Sequence, residues 1–230
     1  MTPDKTVQRV KRTMVNSQRQ AWILVGGWPG HQPEEVAEIQ AQDLQQEGFR
    51  VEIVRDLEKL CDQALMDVDL VVPNWTMGEI SSEALRAWLS AVRSGIGVAG
   101  LHGGMGDAFR KEPAYQWMAG GQWVAHPGDS GVTYNVHIVD PSDPLTEGME
   151  DFTVTTEQYY MHVDPANRVL ATTQFDEVIM PVAWTKTFGQ GRIFYCSLGH
   201  SPDIVNRPDV RSLIRRGMVY AARSQGEAAL

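Results

Sequence analysis

Short apolar runs alternate with amphipathic segments through the first hundred residues. The run 21–25, AWILV, ends at two glycines and predicts a strand buried on both faces. A proline followed by two glutamates at 33–35 then predicts the start of a helix that ends at Gly48. The alternation continues, with predicted strands over 50–54, 70–73 and the apolar segment before His102, and predicted helices over 56–66 and from Ser81 to near Gly95. This order predicts an α/β fold with a mostly parallel sheet covered by helices on both faces.

Beyond residue 130 the apolar segments become shorter and follow one another more closely. Strands are predicted over 133–139, 157–161, 169–173, 182–187 and 192–195, and a final amphipathic helix over 209–222. Gly189-Gln190-Gly191 predicts a hairpin turn between the last two strands. The pattern therefore predicts an antiparallel elaboration in the C-terminal half. With no internal repeat and no low-complexity linker, we predict one domain over 20–230 after a basic extension over 1–19.

Composition and charge narrow the class of protein. The chain is 43% hydrophobic and 21% charged, which is ordinary for a globular protein, and its formal net charge is −9. Five basic side chains against one acidic side chain lie in residues 1–20, but the acidic remainder would repel phosphate, so we predict no nucleic-acid partner. No run approaches the about 18 apolar residues of a membrane span. We predict a cytoplasmic protein, with the added strands or the N-terminal arm as surfaces for a homo-oligomer.

Five of the six histidines follow or precede glycine, proline or other turn signals. His102 lies in the sequence GLHGG, where an apolar run meets two glycines, a pattern typical of a sharp turn from a strand into a helix. The other four are His31, His126, His162 and His200. Ligands of parallel sheets bind outside the carboxyl ends of the strands, where such turns lie. We therefore predict that the five histidines line one cleft.

A cleft lined by histidines supports either proton transfer or metal binding. For proton transfer, we predict His102 and His162 as acid and base, with Glu157 or Asp107 orienting one of the rings. For metal binding, no helix carries a local pair of ligands, so a divalent ion such as zinc would need three of the five histidines from separate loops. The ligands predicted for it are His102, His126 and His162. The two cysteines, Cys61 and Cys196, have neither metal-binding nor redox spacing.

Aromatic residues at loop positions indicate a sugar-binding surface. An indole face stacks well on the apolar face of a sugar ring, which makes Trp28, beside His31, a predicted platform. On the strand predicted at 157–161, Glu157 and Tyr159 share one face, whereas Tyr160 and His162 share the other, because side chains alternate. The predicted substrate-binding residues are Trp28, His31, Trp75, Tyr159, Trp184 and His200.

Five segments together resemble a known family over about residues 20–225. They are GLHGG at 100–104, GGQWVAHPG at 120–128, EQYYMHVDP at 157–165, MPVAWT at 180–185 and FYCSLGH at 194–200. On these segments the chain resembles the ThuA-like, trehalose-utilisation family, which shares the class I glutamine amidotransferase-like fold. The resemblance implies a flavodoxin-like three-layer sandwich and a role in sugar or glycoside catabolism, including oxidised 3-keto sugars.

The turn that carries His102 separates this chain from the amidotransferases. Glutamine hydrolysis needs a cysteine there as the acyl-forming nucleophile, and this chain has a histidine. We therefore predict an enzyme that acts on a sugar or keto-sugar by acid and base chemistry, through isomerisation, elimination or hydrolysis. Two alternatives stay open: a zinc-dependent hydrolase or lyase that uses the same histidines, and a non-catalytic sugar-binding or regulatory domain.

Overall fold

The computed structural model describes residues 18–224, so all but the last two residues of the predicted N-terminal extension lie outside it. The strands are β1 Gln20–Gly27, β2 Arg50–Val54, β3 Leu70–Thr76, β4 Gly97–Leu101, β5 Gly121–Ala125, β6 Thr133–Ile138, β7 Phe152–Thr155, β8 Tyr160–Val163, β9 Arg168–Phe175, β10 Val178–Phe188 and β11 Gly191–Cys196. The α-helices are α1 Pro33–Gln46, α2 Ser82–Arg93, α3 His102–Gly106, α4 Pro113–Ala119, α5 Pro202–Val205 and α6 Pro208–Ala221.

Nine strands form one sheet in the order β2-β1-β3-β4-β11-β10-β9-β6-β7. Neighbours from β2 to β11 run parallel, and neighbours from β11 to β7 run antiparallel. The predicted α/β class, with a parallel sheet extended by antiparallel strands in the C-terminal half, is confirmed. Strands β5 and β8 pair separately as a two-stranded sheet.

Helices cover both faces of the sheet and create two apolar cores. Helices α1 and α6 pack over one face, and α2 and α4 pack over the other. Successive residues of β1 belong to different cores, because Ile23 lies in the first and Leu24 in the second. Because both faces of β1 are buried, its sequence is a continuous apolar run. The sheet with helices on both faces forms the three layers that the sequence resemblance implied.

The predicted helix over 56–66 is wrong. The chain there forms two 3₁₀-helices, Leu57–Cys61 and Gln63–Asp67. The Asp56 carboxylate accepts a hydrogen bond from the Glu58 N–H, and Asp62 is extended between the two turns. Aspartates that bond their own backbone favour short turns over a continuous helix. Strands β5 and β7 were not predicted.

The longer helices are amphipathic and belong to the packed layers. Helices α1 and α6 have 14 residues each, and each turns one side to the sheet. Within residues 18–224, no helix combines the length and the apolar character that crossing a bilayer requires. The cytoplasmic location remains a prediction.

We expect Gly217→Ala to destabilise the protein, because α6 packs against β11 at this position. A Cβ on Gly217 would lie 2.3 Å from Cδ1 of the buried Phe194 ring. The expected loss is about 1–3 kcal/mol, although alanine favours a helix over glycine by about 1 kcal/mol. Urea unfolding measures it. Gly131→Ala is the matched control, since no atom lies within 4 Å of its added Cβ, and a stabilised Gly217→Ala protein would contradict the packing argument.

Candidate functional site

The site is built on the sharp turn that follows β4. His102 begins α3 with a φ of 45°, in the left-handed region that non-glycine residues rarely adopt. The glycines after it allow close packing. A Cβ on Gly103 would lie 2.6 Å from Cε1 of His31, and a Cβ on Gly104 would lie 2.9 Å from Cα of Asn74. The predicted turn is therefore present, and it brings His102 against the ends of β1 and β3.

The His102 imidazole is buried and its orientation is fixed from both sides. Nδ1 lies 2.8 Å from the Ser197 carbonyl oxygen, which can only accept, so Nδ1 carries a proton and donates it. Nε2 lies 3.0 Å from Oε2 of Glu157 and 2.8 Å from the hydroxyl of Tyr159. The ring stacks on Tyr159 with centroids 4.2 Å apart. Burial lowers the pKa of His102, which favours a neutral ring with its lone pair on Nε2.

Glu157 is a buried carboxylate approached by three imidazoles. Oε2 lies 3.0 Å from Nε2 of His102 and 3.8 Å from Nδ1 of His126, and Oε1 lies 3.2 Å from Nδ1 of His200. Burial by itself raises the pKa of Glu157, but the neighbouring His102 and His200 imidazoles outweigh it and hold the pKa below its usual value. The carboxylate therefore remains ionised in the centre of the rings.

His31 completes the cluster from the loop after β1. Its Nδ1 lies 2.8 Å from Oγ1 of Thr76, and its ring centroid lies 4.6 Å from that of His102 and 5.3 Å from that of His200. Burial, together with the neighbouring His102, lowers the pKa of His31 to about 3. One ligand atom from each of His31, His102, Glu157 and His200 lies within 4.8 Å of the others. We call these four residues the His–Glu cluster.

Four of the five histidines predicted to share a cleft lie in or beside the His–Glu cluster. His126 adjoins it, because its ring stacks on Tyr159 and its Nδ1 accepts a hydrogen bond of 3.0 Å from Nε1 of Trp123. Trp28 lies edge-on to His31 with centroids 4.8 Å apart and is 44% exposed. The structure thus gathers Trp28, His31, Tyr159 and His200 of the predicted substrate-binding residues, with the predicted catalytic residues His102 and Glu157.

His162 does not join the other histidines. It is exposed on β8 opposite Gln122, because β8 begins at Tyr160, later than the strand predicted over 157–161, and its alternation turns Met161 inward and His162 outward. The three histidines predicted as metal ligands, His102, His126 and His162, are therefore not brought together. In the described part of the chain, the group with metal-ligand spacing is the His–Glu cluster.

Three other predicted residues lie outside the cluster. The Asp107 carboxylate accepts two hydrogen bonds from Arg110, at 2.5 and 2.8 Å, and orients that guanidinium rather than a histidine. Trp75 packs against Gly26 and belongs to the second core, because its side chain points away from the face that carries Thr76. Trp184 is buried in that core, with Nε1 donating to the Ala119 carbonyl at 3.1 Å.

Sequence reasoning missed Thr76, Ser197 and Trp123, all of which orient a histidine. Thr76 follows Asn74 by two residues on β3, so both side chains lie on the same face of the strand. A polar pair at the carboxyl end of this strand could have pointed to Thr76. Trp123 is three residues before His126, within reach of a local bond. Ser197 acts through its backbone carbonyl, which no residue type reveals.

Both cysteines lie apart from the turn. Cys196 is fully buried on β11, and burial raises the pKa of its thiol to about 12, so it stays protonated. Cys61 is exposed at the end of a 3₁₀-helix. The position of a strand-to-helix nucleophile is held by His102.

A parallel sheet with a buried His–Glu cluster at the carboxyl ends of its strands defines an α/β protein with a candidate ligand site. The ThuA family model, described as trehalose utilisation, matches residues 20–221, and the chain belongs to that family. A search of curated proteins gives no match.

Solved structures share the fold at low sequence identity. A ThuA-like protein of Parabacteroides merdae ATCC 43184 is 19% identical with a TM-score of 0.72, over 93% of this chain and 94% of its own. One from Bacteroides uniformis ATCC 8492 is 15% identical with a TM-score of 0.72, over 86% and 89%. A cytoplasmic protein of Salmonella typhimurium LT2 is 11% identical with a TM-score of 0.65, over 88% and 100%. At such identities these likenesses establish the fold alone.

We expect Thr76→Val to destabilise the protein, because this nearly isosteric change removes the hydrogen bond to Nδ1 of His31 and leaves that buried atom unpaired. The expected loss is about 1–3 kcal/mol in urea unfolding. Thr133→Val is the matched control, since its hydroxyl bonds Thr155 on the exposed surface, and we expect a change within about 0.5 kcal/mol. Equal losses of unfolding free energy in the two variants would mean that the bond to His31 contributes no more stability than a bond on the exposed surface.

Proposed function

We propose that this protein is an enzyme that acts on a sugar or keto-sugar by proton transfer at the His–Glu cluster. Membership of the ThuA family supports the carbohydrate, and the site supports the chemistry. One observation carries the proposal: Nε2 of His102 and Oε2 of Glu157 lie 3.0 Å apart in a buried site, with the Tyr159 hydroxyl 2.8 Å from the same nitrogen. Three groups that exchange protons therefore meet at one point.

The arrangement suits the removal of a proton from the carbon beside a ring ketone. The proton leaves that carbon for the His102–Glu157 pair, and the electron pair of the C–H bond moves to the ketone oxygen as an enolate. Return of the proton to the former ketone carbon completes an isomerisation when the hydroxyl proton of the neighbouring carbon moves to the former ketone oxygen. Departure of an oxygen substituent from the carbon next to the deprotonated one, taking up the proton held by the pair, restores the ketone and completes an elimination. The Tyr159 hydroxyl, beside Nε2, is the donor proposed for the enolate oxygen.

Access to the buried pair runs through the partly exposed rings at its edge. His200 and His126 are both partly exposed and both face Glu157. Trp28 is the exposed aromatic beside His31. We propose that the sugar ring stacks on Trp28 and that His200 and His126 exchange protons between the pair and solvent.

Two observations bear on the alternatives. A non-catalytic sugar-binding domain would use the same Trp28 surface but has no need of a buried carboxylate among histidines, whose desolvation is costly. A metal-dependent hydrolase or lyase is favoured by the spacing of the four ligand atoms in the His–Glu cluster, and is the second candidate.

We expect His102→Asn and Glu157→Gln each to lower kcat on a keto-sugar substrate by at least about 100-fold, because each removes one member of the proton-transferring pair. Asparagine tolerates the left-handed backbone of residue 102 better than alanine does. A panel of keto-sugars followed by mass spectrometry supplies the substrate and the rate.

The matched control is His137→Asn, since His137 is an exposed histidine on β6 paired with Asp151. It should retain the parent rate. Parent rates in both His102→Asn and Glu157→Gln would refute proton transfer at this pair. Saturable sugar binding by calorimetry with no product from any keto-sugar would support the non-catalytic alternative instead.

We expect Trp28→Ala to raise KM by roughly fivefold to tenfold and leave kcat within about twofold, because a stacked ring adds about 1 kcal/mol to binding without touching the reacting atoms. Steady-state kinetics on the substrate found above measures both constants. Trp117→Ala is the control, since Trp117 is 56% exposed and packs on Phe188. An equal rise in KM in both variants would remove Trp28 from the binding surface.

A further inference from the structure

We propose that His31, His102, Glu157 and His200 bind one divalent transition-metal ion, for which zinc is the best match. The inference concerns the same residues as the proposed function and rests on it for their catalytic use, but the binding of the ion is argued from geometry alone. The proposed ligand set replaces two of the histidines expected from sequence, His126 and His162, by His31 and His200 and adds a carboxylate.

At His102 two acceptors face each other beside the Tyr159 hydroxyl, which lies 2.8 Å from Nε2. Its Nδ1–H is donated to the Ser197 carbonyl, so a neutral ring presents a lone pair at Nε2. That lone pair faces a carboxylate oxygen of Glu157 only 3.0 Å away. Two acceptors at this distance repel unless a proton or a cation lies between them. A cation can also accept electron pairs from His31 and His200, whereas one proton can be shared only between His102 and Glu157.

His200 presents a second atom in need of a partner. Its Nδ1 is buried and lies 3.2 Å from Oε1 of Glu157, yet makes no hydrogen bond within residues 18–224. Buried polar atoms without partners are rare and call for an unseen ligand such as an ion or a water. This unpaired nitrogen of His200 therefore faces the same Glu157 carboxylate as Nε2 of His102.

The donor atoms lie close enough together to surround one transition-metal ion. With bonds of about 2.0–2.1 Å, the donors of a tetrahedral site lie roughly 3.3–3.4 Å apart. His102 Nε2 lies 3.0 Å from Oε2 of Glu157, and His200 Nδ1 lies 3.2 Å from Oε1 of the same carboxylate. The full set spans up to 4.8 Å, so binding draws the outermost donor inward by about 1.4 Å or holds it through a water.

Neighbouring groups hold the rings as they do in metal sites. A metal-binding histidine commonly donates its second ring N–H to a carbonyl or a hydroxyl, which fixes the ring and its tautomer. His102 has this partner in Ser197, and His31 has Thr76. His126 differs, because its Nδ1 is already occupied by the Trp123 N–H, and it stays outside the proposed set.

The donor types narrow the identity of the ion. Three imidazoles and one carboxylate suit zinc and its first-row neighbours, whereas calcium and magnesium prefer sites made of oxygen. Bound here, the ion would stabilise negative charge on a ketone oxygen of the substrate. His102 and Glu157 would then serve as ligands, and proton transfer would pass to Tyr159 and His126 beside them.

The test measures metal content in the whole chain purified without a metal-affinity tag or chelator. The protein is incubated with zinc and then exchanged into metal-free buffer. Its zinc content is measured by elemental mass spectrometry, and circular dichroism checks that each variant is folded. We expect about one equivalent of zinc in the parent protein. His200→Ala and Glu157→Gln should each retain less than about a tenth of an equivalent, and His200 is partly exposed, so its removal spares the core.

The matched controls are His137→Ala and His162→Ala, both exposed histidines, which should retain one equivalent. Cobalt loading gives a second readout, since a visible absorption band reports tetrahedral coordination by the protein and should be absent in folded His200→Ala. Less than about a tenth of an equivalent in the parent protein, or an equal loss of zinc in His162→Ala and His200→Ala, would overturn the proposed site.

Turnover of keto-sugars by the same samples separates the two proposals. Metal-free parent protein that converts a keto-sugar as fast as loaded protein overturns a catalytic use of the ion and supports the proposed proton transfer, whereas the metal content itself decides the site. Loaded protein with one equivalent of zinc and no product from the panel supports the metal site and overturns the carbohydrate chemistry. Activity that rises in proportion to bound zinc supports the metal site and the carbohydrate substrate, and overturns proton transfer by the His102–Glu157 pair in favour of Tyr159 and His126.

Discussion

The burial of the Glu157 carboxylate is the constraint around which the rest of the site is arranged. A charge removed from water is costly unless donors or opposite charges surround it, and the surroundings of Glu157 come from far apart in the chain. His102 reaches it from the turn after β4, His200 from the loop after β11, and His126 from the loop after β5. Its own backbone carbonyl accepts a hydrogen bond of 3.0 Å from the Tyr134 hydroxyl on β6. Glu157 is thus surrounded by groups from four separate segments of the chain.

The two halves of the sheet make different contributions to this arrangement. Parallel strands end on the same side, and β1, β3, β4 and β11 lie next to one another, so their carboxyl ends gather His31, Thr76, His102 and His200. The antiparallel half supplies the carboxylate from the segment that leads into β8. A parallel sheet alone would gather histidines without their counter-charge. The antiparallel strands that extend the fold therefore complete the site.

Strain and precise packing are concentrated at the same place. His102 holds a left-handed backbone conformation, and it is fixed by a carbonyl, a carboxylate and a stacked tyrosine. Around this rigid centre, Trp28, His126 and His200 remain partly open to solvent. The contrast between a buried centre and an open edge favours a site where reacting groups are held still and a ligand enters from one side.

Local rules sufficed for most of the strands, for the three longest helices and for the turn at His102, because apolar periodicity and glycine placement act over a few residues; they failed over 56–66 and missed β5 and β7. They also placed Glu157 and Tyr159 on one side of their segment and His162 on the other, which the structure bears out. Local rules failed where a partner lies far along the chain. Nothing near Trp184 in sequence reveals that its N–H is taken by Ala119 in the core. Asp107 is the opposite case, because its partner Arg110 is only three residues away and the prediction assigned a histidine instead. Which histidines surround Glu157 was decided by the order of strands in the sheet, since contacts between loops depend on that order and the sequence of each loop does not contain it.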